Sequence, residues 1–352
     1  MTDDSATHTP FELGLFTFGE LTRDRDTRRL LPAAQRLGEF VDLAILADRA
    51  GLDVFGVGEH HRPDFAIASP PVVLAAIAQA TERIRLTSTV TVLSTADPVK
   101  VFEDFATVDL LSGGRAEITA GRGAYVESFP LFGQRLEDYD DLFEEKLDLL
   151  LRLGEAPEVT WQGRFRPALE GVGVYPRPVQ DALPVWIAVG GTPASVIRAG
   201  RLGLPMYLAI LGQPDRFQPL AGLYRRTAAS YGHDPAALTL GVTSHVHVAR
   251  TSQQARDEFY PYYSRYIGDN MPGAHGVPLA REAFEAWAGP RGALFAGSPQ
   301  EVIEKILWEH EILGHRRFLA QIGLGGLPYA TTAAAVELLA TEVLPVVRRE
   351  IG

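Results

Sequence analysis

The chain contains no cysteine. That excludes disulfides, thiolate metal centres and a cysteine nucleophile together, and it names no compartment. Nor is there an uninterrupted apolar run of the ~18 residues that a membrane-spanning helix requires. Residues 1–10, MTDDSATHTP, lack the basic start and apolar core of a secretory signal and read as a disordered tail. A cytoplasmic protein is the expectation. Cationic side chains are in short supply: 33 Lys and Arg stand against 44 Asp and Glu, a formal charge of −11. Such a surplus argues against nucleic acid or an anionic membrane as partner. The P-loop and G-x-G-x-x-G fingerprints are missing as well, which speaks against a tightly held Rossmann-type dinucleotide.

What is present is an ordinary globular composition, 46% apolar and 22% charged. Within it, strand-like and helix-like stretches alternate. Strands are expected at 11–18, 53–57, 84–93, 115–120, 184–189, 204–211, 238–249 and 317–322. After a polar loop reaching Gly38, a helix is expected over 39–50, with Phe40, Leu43, Ala44 and Ala47 on one face and Gly51 as its stop. Further helices are expected over 71–81, 98–111, 139–153, 194–202, 216–231, 252–266, 300–313 and 330–348. The strands VWIAV and MYLAIL are apolar throughout, as strands buried on both faces must be.

Such alternation implies a parallel sheet with right-handed crossovers. Eight units predict a (β/α)₈ TIM barrel over 11–352 as one domain, with an open doubly wound sheet as the alternative. Two insertions break the rhythm. Around 157–180, VTWQGRFRP reads as a small hairpin, and 269–295 contains a short helix. With 124–138, they are expected to cover the C-terminal mouth of the barrel.

The most specific local signal is VWIAVGGTPASVIRAG, residues 185–200. A buried strand ends at Gly190 and Gly191, Thr192 stands at the N-cap and Pro193 at the first helical position. The glycines admit an anion close to the backbone, and the helix's first N–H groups and dipole point at it. Thr192 and Ser195 add hydroxyls. A plain capped turn explains the same residues, but a barrel's phosphate site belongs among these C-terminal loops. After the fourth strand, Arg122 lies between Gly121 and Gly123, placed to pair with a phosphate or simply to sit in a flexible loop.

Glu59-His60-His61 follows the second strand directly. Neighbouring residues point to opposite faces, so one histidine faces the pocket. His60 reads as a proton-transfer residue and His61 as structural. His245 and His247 share one strand face, as a barrel metallohydrolase requires, but no convincing set of further ligands assembles around them, so no metal is expected.

Four stretches resemble successive signatures of the luciferase-like flavin monooxygenases. In order they are GLDVFGVGEHH, VTVLSTADPVKVFEDFATVDLLSGGRAEITAGRG, GGTPASVIRAGRLGLPMYLA and GLGGLPYATTAAAVELLATEVLPVVR. The resemblance covers about 11–348 and implies a (β/α)₈ barrel that binds reduced FMN at its C-terminal mouth. By position, it puts the phosphate on Gly191, Thr192 and Ser195 beside Gly190, with Arg122 assisting, and the reactive-site histidine on His60. The family's flavin-facing cysteine, where present, falls on Gly121, so that side chain is absent here. Its non-prolyl cis peptide falls near Thr89–Val90 and shapes the surface behind the isoalloxazine.

The implied chemistry is reaction of reduced FMN with O₂ to a C4a-hydroperoxide that oxygenates a small organic substrate, the flavin coming from a separate reductase and the enzyme being a homodimer. A deazaflavin-dependent hydride-transfer enzyme, a metal-dependent hydrolase using His245 and His247, and a non-catalytic flavin-binding protein are the alternatives. Tyr125, Phe129, Trp161 and Tyr263 point to an apolar substrate.

Overall fold

Eight short parallel strands close on themselves in the computed structural model, which describes residues 10–21, 30–123, 125–271 and 273–352. They are β1 (Glu12–Thr17), β2 (Val54–Val57), β3 (Arg85–Ser88), β4 (Ala116–Gly121), β5 (Val185–Val189), β6 (Met206–Ala209), β7 (Leu240–Val248) and β8 (Arg317–Gln321). Each pairs in parallel with its neighbour, and β8 returns to β1 with Glu12 opposite Arg317, which completes the circuit. The eight-strand TIM barrel expected from the alternation is therefore the fold. The expected tail at 1–10 lies, but for Pro10, outside the described residues.

Around the barrel run α1 (Ala33–Ala50), α2 (Pro70–Ala80), α3 (Pro98–Ser112), α4 (Tyr139–Glu155), α5 (Pro193–Leu202), α6 (Gln218–Ser230), α7 (Ser252–Asn270), α8 (Pro299–Leu313) and α9 (Tyr329–Leu338). A π-turn at Leu339–Val343 continues α9 into Leu344–Ile351. That closing run, Tyr329–Ile351, is long and apolar enough to cross a bilayer, with mean hydropathy 1.5. Here Val336, Leu339, Val343 and Val347 bury into the main core between barrel and helices.

Four expectations change. The helix read over 39–50 begins at Ala33, because Arg36 in its first turn is buried and donates to the carbonyls of Glu20 and Gly323, 3.2 Å each. The strand read over 84–93 is two pieces: Thr91–Val92 pairs separately with β4, and the intervening Thr89–Val90 peptide bond is cis. The helix after β7 is not its outer-layer crossover. That place belongs to α8, which packs against α6 and the closing run, whereas α7 lies on the C-terminal end of β7 and the turn Leu324–Gly326 after β8. Phe259, Tyr263, Tyr266 and Ile267 of α7 form a separate cluster with Phe284 and Leu324 instead of joining the main core.

The hairpin Glu158–Trp161 and Leu169–Gly173 forms as expected, but it does not lie over the mouth. It leaves the C-terminal end of α4, at the opposite end of the barrel, and climbs the outer face of that helix. Trp161 Nε1 donates to Asp148 at 3.0 Å, and the Phe165 N–H donates to Glu145 at 2.8 Å. Only its tip approaches the C-terminal side, where Arg166 donates to Asp97 at 2.9 Å.

Inside the barrel, alternate residues of each strand meet in layers. The N-terminal layer is ionic. Arg317 donates to Glu117 at 2.7 Å and to the Tyr207 hydroxyl at 3.0 Å, and its guanidinium lies 4.2 Å from the Trp186 ring centre. Arg85 donates to the same Glu117 at 2.5 Å. Above this plug, Phe16, Val54 and Leu319 pack together, and Thr87 and Thr119 share a hydroxyl hydrogen bond of 3.0 Å. One end of the barrel is thus sealed by charge pairing, which leaves the other for a site.

Candidate active site

Carried upward, the interior rows of the strands arrive at the C-terminal mouth on His60, Thr89, Gly121, Gly190, His245 and Gln321. Glu20 joins them from the end of β1. Four of these side chains hold buried polar atoms that find no hydrogen-bond partner among the described residues: both Glu20 carboxylate oxygens, His60 Nε2, Thr89 Oγ1 and Gln321 Nε2. Elsewhere such atoms are costly, so a cluster of them at one mouth marks a place built to meet a ligand.

His60 is only 7% exposed and sits in an aromatic box, its ring centre 4.8 Å from Phe18, 4.3 Å from Phe65 and 5.0 Å from Tyr125. Burial pulls the imidazole below its usual range, and Glu127, with Oε1 3.5 Å from Nδ1, opposes that shift. A neutral ring with Nδ1 turned to a carboxylate has Nε2 as its basic nitrogen. His61 turns the other way: its Nε2 lies 2.8 Å from Glu59 Oε1, and its ring lies against Phe132.

Thr89, Val90 and Gly121 meet where the interrupted third strand faces β4. A Cβ on Gly121 would fall 2.5 Å from Val90 Cγ2, so glycine leaves the room that the Val90 side chain fills. Together they form a closely packed wall at the mouth, in which the buried Thr89 hydroxyl has no hydrogen-bond partner among the described residues.

At the neighbouring strand end, Gly191 takes φ +114°, and a side chain at Gly190 would meet nothing within 4 Å. Thr192 caps α5 by position, yet its hydroxyl accepts no helix N–H, unlike those of Thr251 and Ser298 on α7 and α8. The elbow therefore offers open space, a helix N-terminus and an uncommitted hydroxyl together, which is the chemistry a phosphate needs. Ser195 is buried one turn in. Arg122 is already engaged: it pairs with Asp140 and lies over the Tyr139 ring at 4.9 Å.

His245 and His247 do not form a shared centre. His245 Nδ1 meets the Tyr263 hydroxyl at 2.9 Å, His247 Nε2 meets Glu258 at 3.0 Å, and both partners lie on α7. Among the described residues no group of three His, Asp or Glu side chains is arranged to hold a metal ion. Burial holds His245 at about 4, so it is neutral. Of the aromatic residues read as substrate walls, Tyr125 and Tyr263 reach the mouth. Phe129 stacks on Tyr139 at 5.6 Å, and Trp161 sits on the outer hairpin. Sequence reasoning missed Glu20, Tyr266 and Gln321. For Gln321 the signal was available, two residues beyond Leu319 on the interior row of β8.

The profile of the luciferase-like monooxygenases matches residues 11–316. Among characterised relatives, the oxygenase component of the flavin-dependent trigonelline monooxygenase of Acinetobacter baylyi is 25% identical, over 94% of this chain and 94% of its own. Among solved structures, the monooxygenase RslO1 from Streptomyces bottropensis superposes with TM-score 0.83 at 24% identity, covering 95% of this chain and 99% of its own. The oxygenating constituent of 3,6-diketocamphane monooxygenase from Pseudomonas putida, solved with FMN, gives 0.77 at 18%, over 96% and 99%. An F420-dependent secondary alcohol dehydrogenase gives 0.72 at 19%, over the same shares. These structural likenesses bear on the fold.

Proposed function

The chain belongs to the luciferase-like monooxygenase family, and on that premise we propose that it uses reduced FMN and O₂ to oxygenate a small organic substrate. One observation supports the reading: the open glycine elbow Gly190–Ser195 with its uncommitted Thr192 hydroxyl, the junction of Thr89, Val90 and Gly121, and the buried, unpaired Nε2 of His60 all lie at one barrel mouth. Gly190, Gly191, Thr192 and Ser195 hold the phosphate, with Arg122 turning from Asp140 to assist. Thr89, Val90 and Gly121 back the ring system. When bound, reduced FMN supplies the electrons that activate O₂.

The protein's own part is to orient, to exclude water and to move a proton. His60 accepts a proton at Nε2, and Glu127 at the opposite nitrogen stabilises the imidazolium that results. The α7 insertion closes one side of the mouth with Tyr263 and Tyr266, which limits water there. The relative designated an oxygenase component supports supply of reduced flavin by a separate reductase.

Anaerobic titration with reduced FMN, followed by O₂ uptake with candidate substrates, tests this reading. Tight binding is expected, and His60→Ala should lower oxygenation ~10²–10⁴-fold with flavin affinity retained. Absence of binding, or unchanged turnover in the variant, overturns it. Deazaflavin-dependent hydride transfer is the second reading, supported by the fold shared with the F420-dependent dehydrogenase. Parallel titration with that cofactor separates the two.

A further inference from the structure

The interior row of β1 runs through Gly14 and Phe16 to Phe18, and the chain then turns at Gly19 (φ +77°) to Glu20. The Glu20 backbone is fixed twice: it bridges Phe65, and its carbonyl accepts from Arg36 at 3.2 Å. Its side chain is 4% exposed, and among the described residues neither carboxylate oxygen completes a hydrogen bond, although the Thr17 hydroxyl and its own backbone N–H lie close enough to favour the charged form. Among the described residues no cation pairs with it. Arg36 is committed to Glu39 at 3.0 Å and to two carbonyls, and Arg62 to Asp64 at 2.6 Å. What sets this carboxyl apart is its place at the mouth beside the unpaired His60 Nε2, Thr89 Oγ1 and Gln321 Nε2, a cluster that a ligand would complete.

The described groups that face it come from several elements. Arg36 on α1 and Asp64 after β2 act on its charge, and the Tyr125 and Tyr266 phenols lie close enough to feel it. The two tyrosines also mark the address, because Tyr125 packs on His60 and Tyr266 on His245 at 5.9 Å. Glu20 therefore sits in the same mouth, on the side formed by β1, β7 and β8, away from the phosphate elbow. With Arg36 and Arg62 already paired, the uncompensated charges among the described residues here, Glu20 and Glu127, are negative. His60 and His245 are held neutral by burial.

We propose that Glu20 is a substrate-binding residue that accepts a hydrogen bond from a cationic nitrogen on a small, largely apolar substrate, with Tyr125 and Tyr266 as walls. This rests on the reading of the mouth as the substrate chamber, and it narrows the substrate class to amines and related nitrogen cations. Burial pushes the Glu20 carboxyl up to about 7, so the site gains its full charge, and its affinity for a cation, as pH rises through neutrality.

Benzylamine and its neutral near-isostere benzyl alcohol are the probes, titrated into the flavin-free protein with intrinsic fluorescence as readout. At pH 8, benzylamine should bind ~10-fold or more tightly than the alcohol, and Glu20→Gln should abolish that preference. Equal binding of the two probes, or a preference that survives in E20Q, overturns the proposal. Should E20Q not fold, the wild-type profile decides. Amine affinity rising between pH 6 and pH 8 while alcohol affinity stays flat upholds it, and a flat amine profile overturns it. FMN affinity measured on the same samples separates a failure of the Glu20 assignment from a failure of the flavin reading.

Discussion

Glu59 accepts the backbone N–H of Val92 through Oε2 at 3.0 Å, while its other oxygen holds His61. One carboxylate thus ties the loop that carries His60 to the short segment beyond Thr89 and Val90, and sets the spacing between His60 and the wall that Thr89, Val90 and Gly121 form. Glu59→Ala should cost about 1–3 kcal/mol, since a part-buried N–H and His61 lose their acceptor together. It should also weaken FMN binding. Urea unfolding and flavin titration check both, and a loss of stability with unaltered FMN affinity contradicts the coupling.

The barrel was legible in the sequence because parallel strands buried on both faces must read as apolar runs, as VWIAV does, and the strand-to-helix elbow because two glycines after such a run, then Thr192 and Pro193, mark a turn into a helix. What escaped was set at long range. Ala33–Gly38 reads as loop until Arg36 is seen to reach Gly323, 287 residues away. Glu20 falls in what reads as a polar loop, because the bridge to Phe65, 45 residues on, that helps fix it at the mouth leaves no local trace. Trp161 was misplaced for a different reason. Its aromatic character drew it to the mouth, although a connection from α4 to β5 begins at the opposite end of any such barrel.

Thr192 separates capping from ligand binding. An N-cap threonine that bonds its helix loses ~1 kcal/mol on replacement by alanine, but this one makes no such bond, so Thr192→Ala should change stability by less than ~0.5 kcal/mol. FMN affinity should nevertheless fall ~10-fold, the worth of one hydrogen bond to a charged phosphate. Thermal unfolding and fluorescence titration on the same preparation give both numbers. A large stability loss, or intact FMN affinity, removes Thr192 from the phosphate site.

The ionic plug should matter to folding and not to the mouth. Arg317→Met takes from Glu117 its main counter-charge, leaving only Arg85, and breaking a buried pair of this kind costs ~3–5 kcal/mol. Adding Glu117→Gln should recover part of the loss by removing the stranded charge. FMN affinity of whatever fraction folds should match the wild type, because the plug lies at the other end of the barrel. Denaturant unfolding of the single and double variants tests the energetics. A double variant no more stable than R317M contradicts the charge explanation.

His245 should leave a signature in acid. Its imidazole is held at about 4 in the folded protein, by burial above all, against an ordinary value of 6.5. Between those two values the unfolded chain binds a proton that the folded protein refuses, so the stability this residue contributes is present above pH 6.5 and is lost as pH falls towards 4. A shift of this size corresponds to ~3 kcal/mol. His60, His247 and His315 are shifted the same way, whereas Glu20 and Glu309, pushed up to about 7 and about 8, act in the opposite sense. The raw acid profile of the wild type therefore mixes these contributions, and a difference between variants isolates one. His245→Asn keeps a polar partner for the Tyr263 hydroxyl but has no proton to gain. Urea unfolding of both proteins at pH 7, 6, 5 and 4.5 should show the wild type's lead shrinking steadily towards acid. A difference that stays constant across that range places His245 in contact with solvent protons, and with that the dry wall that α7 lays along the mouth is lost from the account.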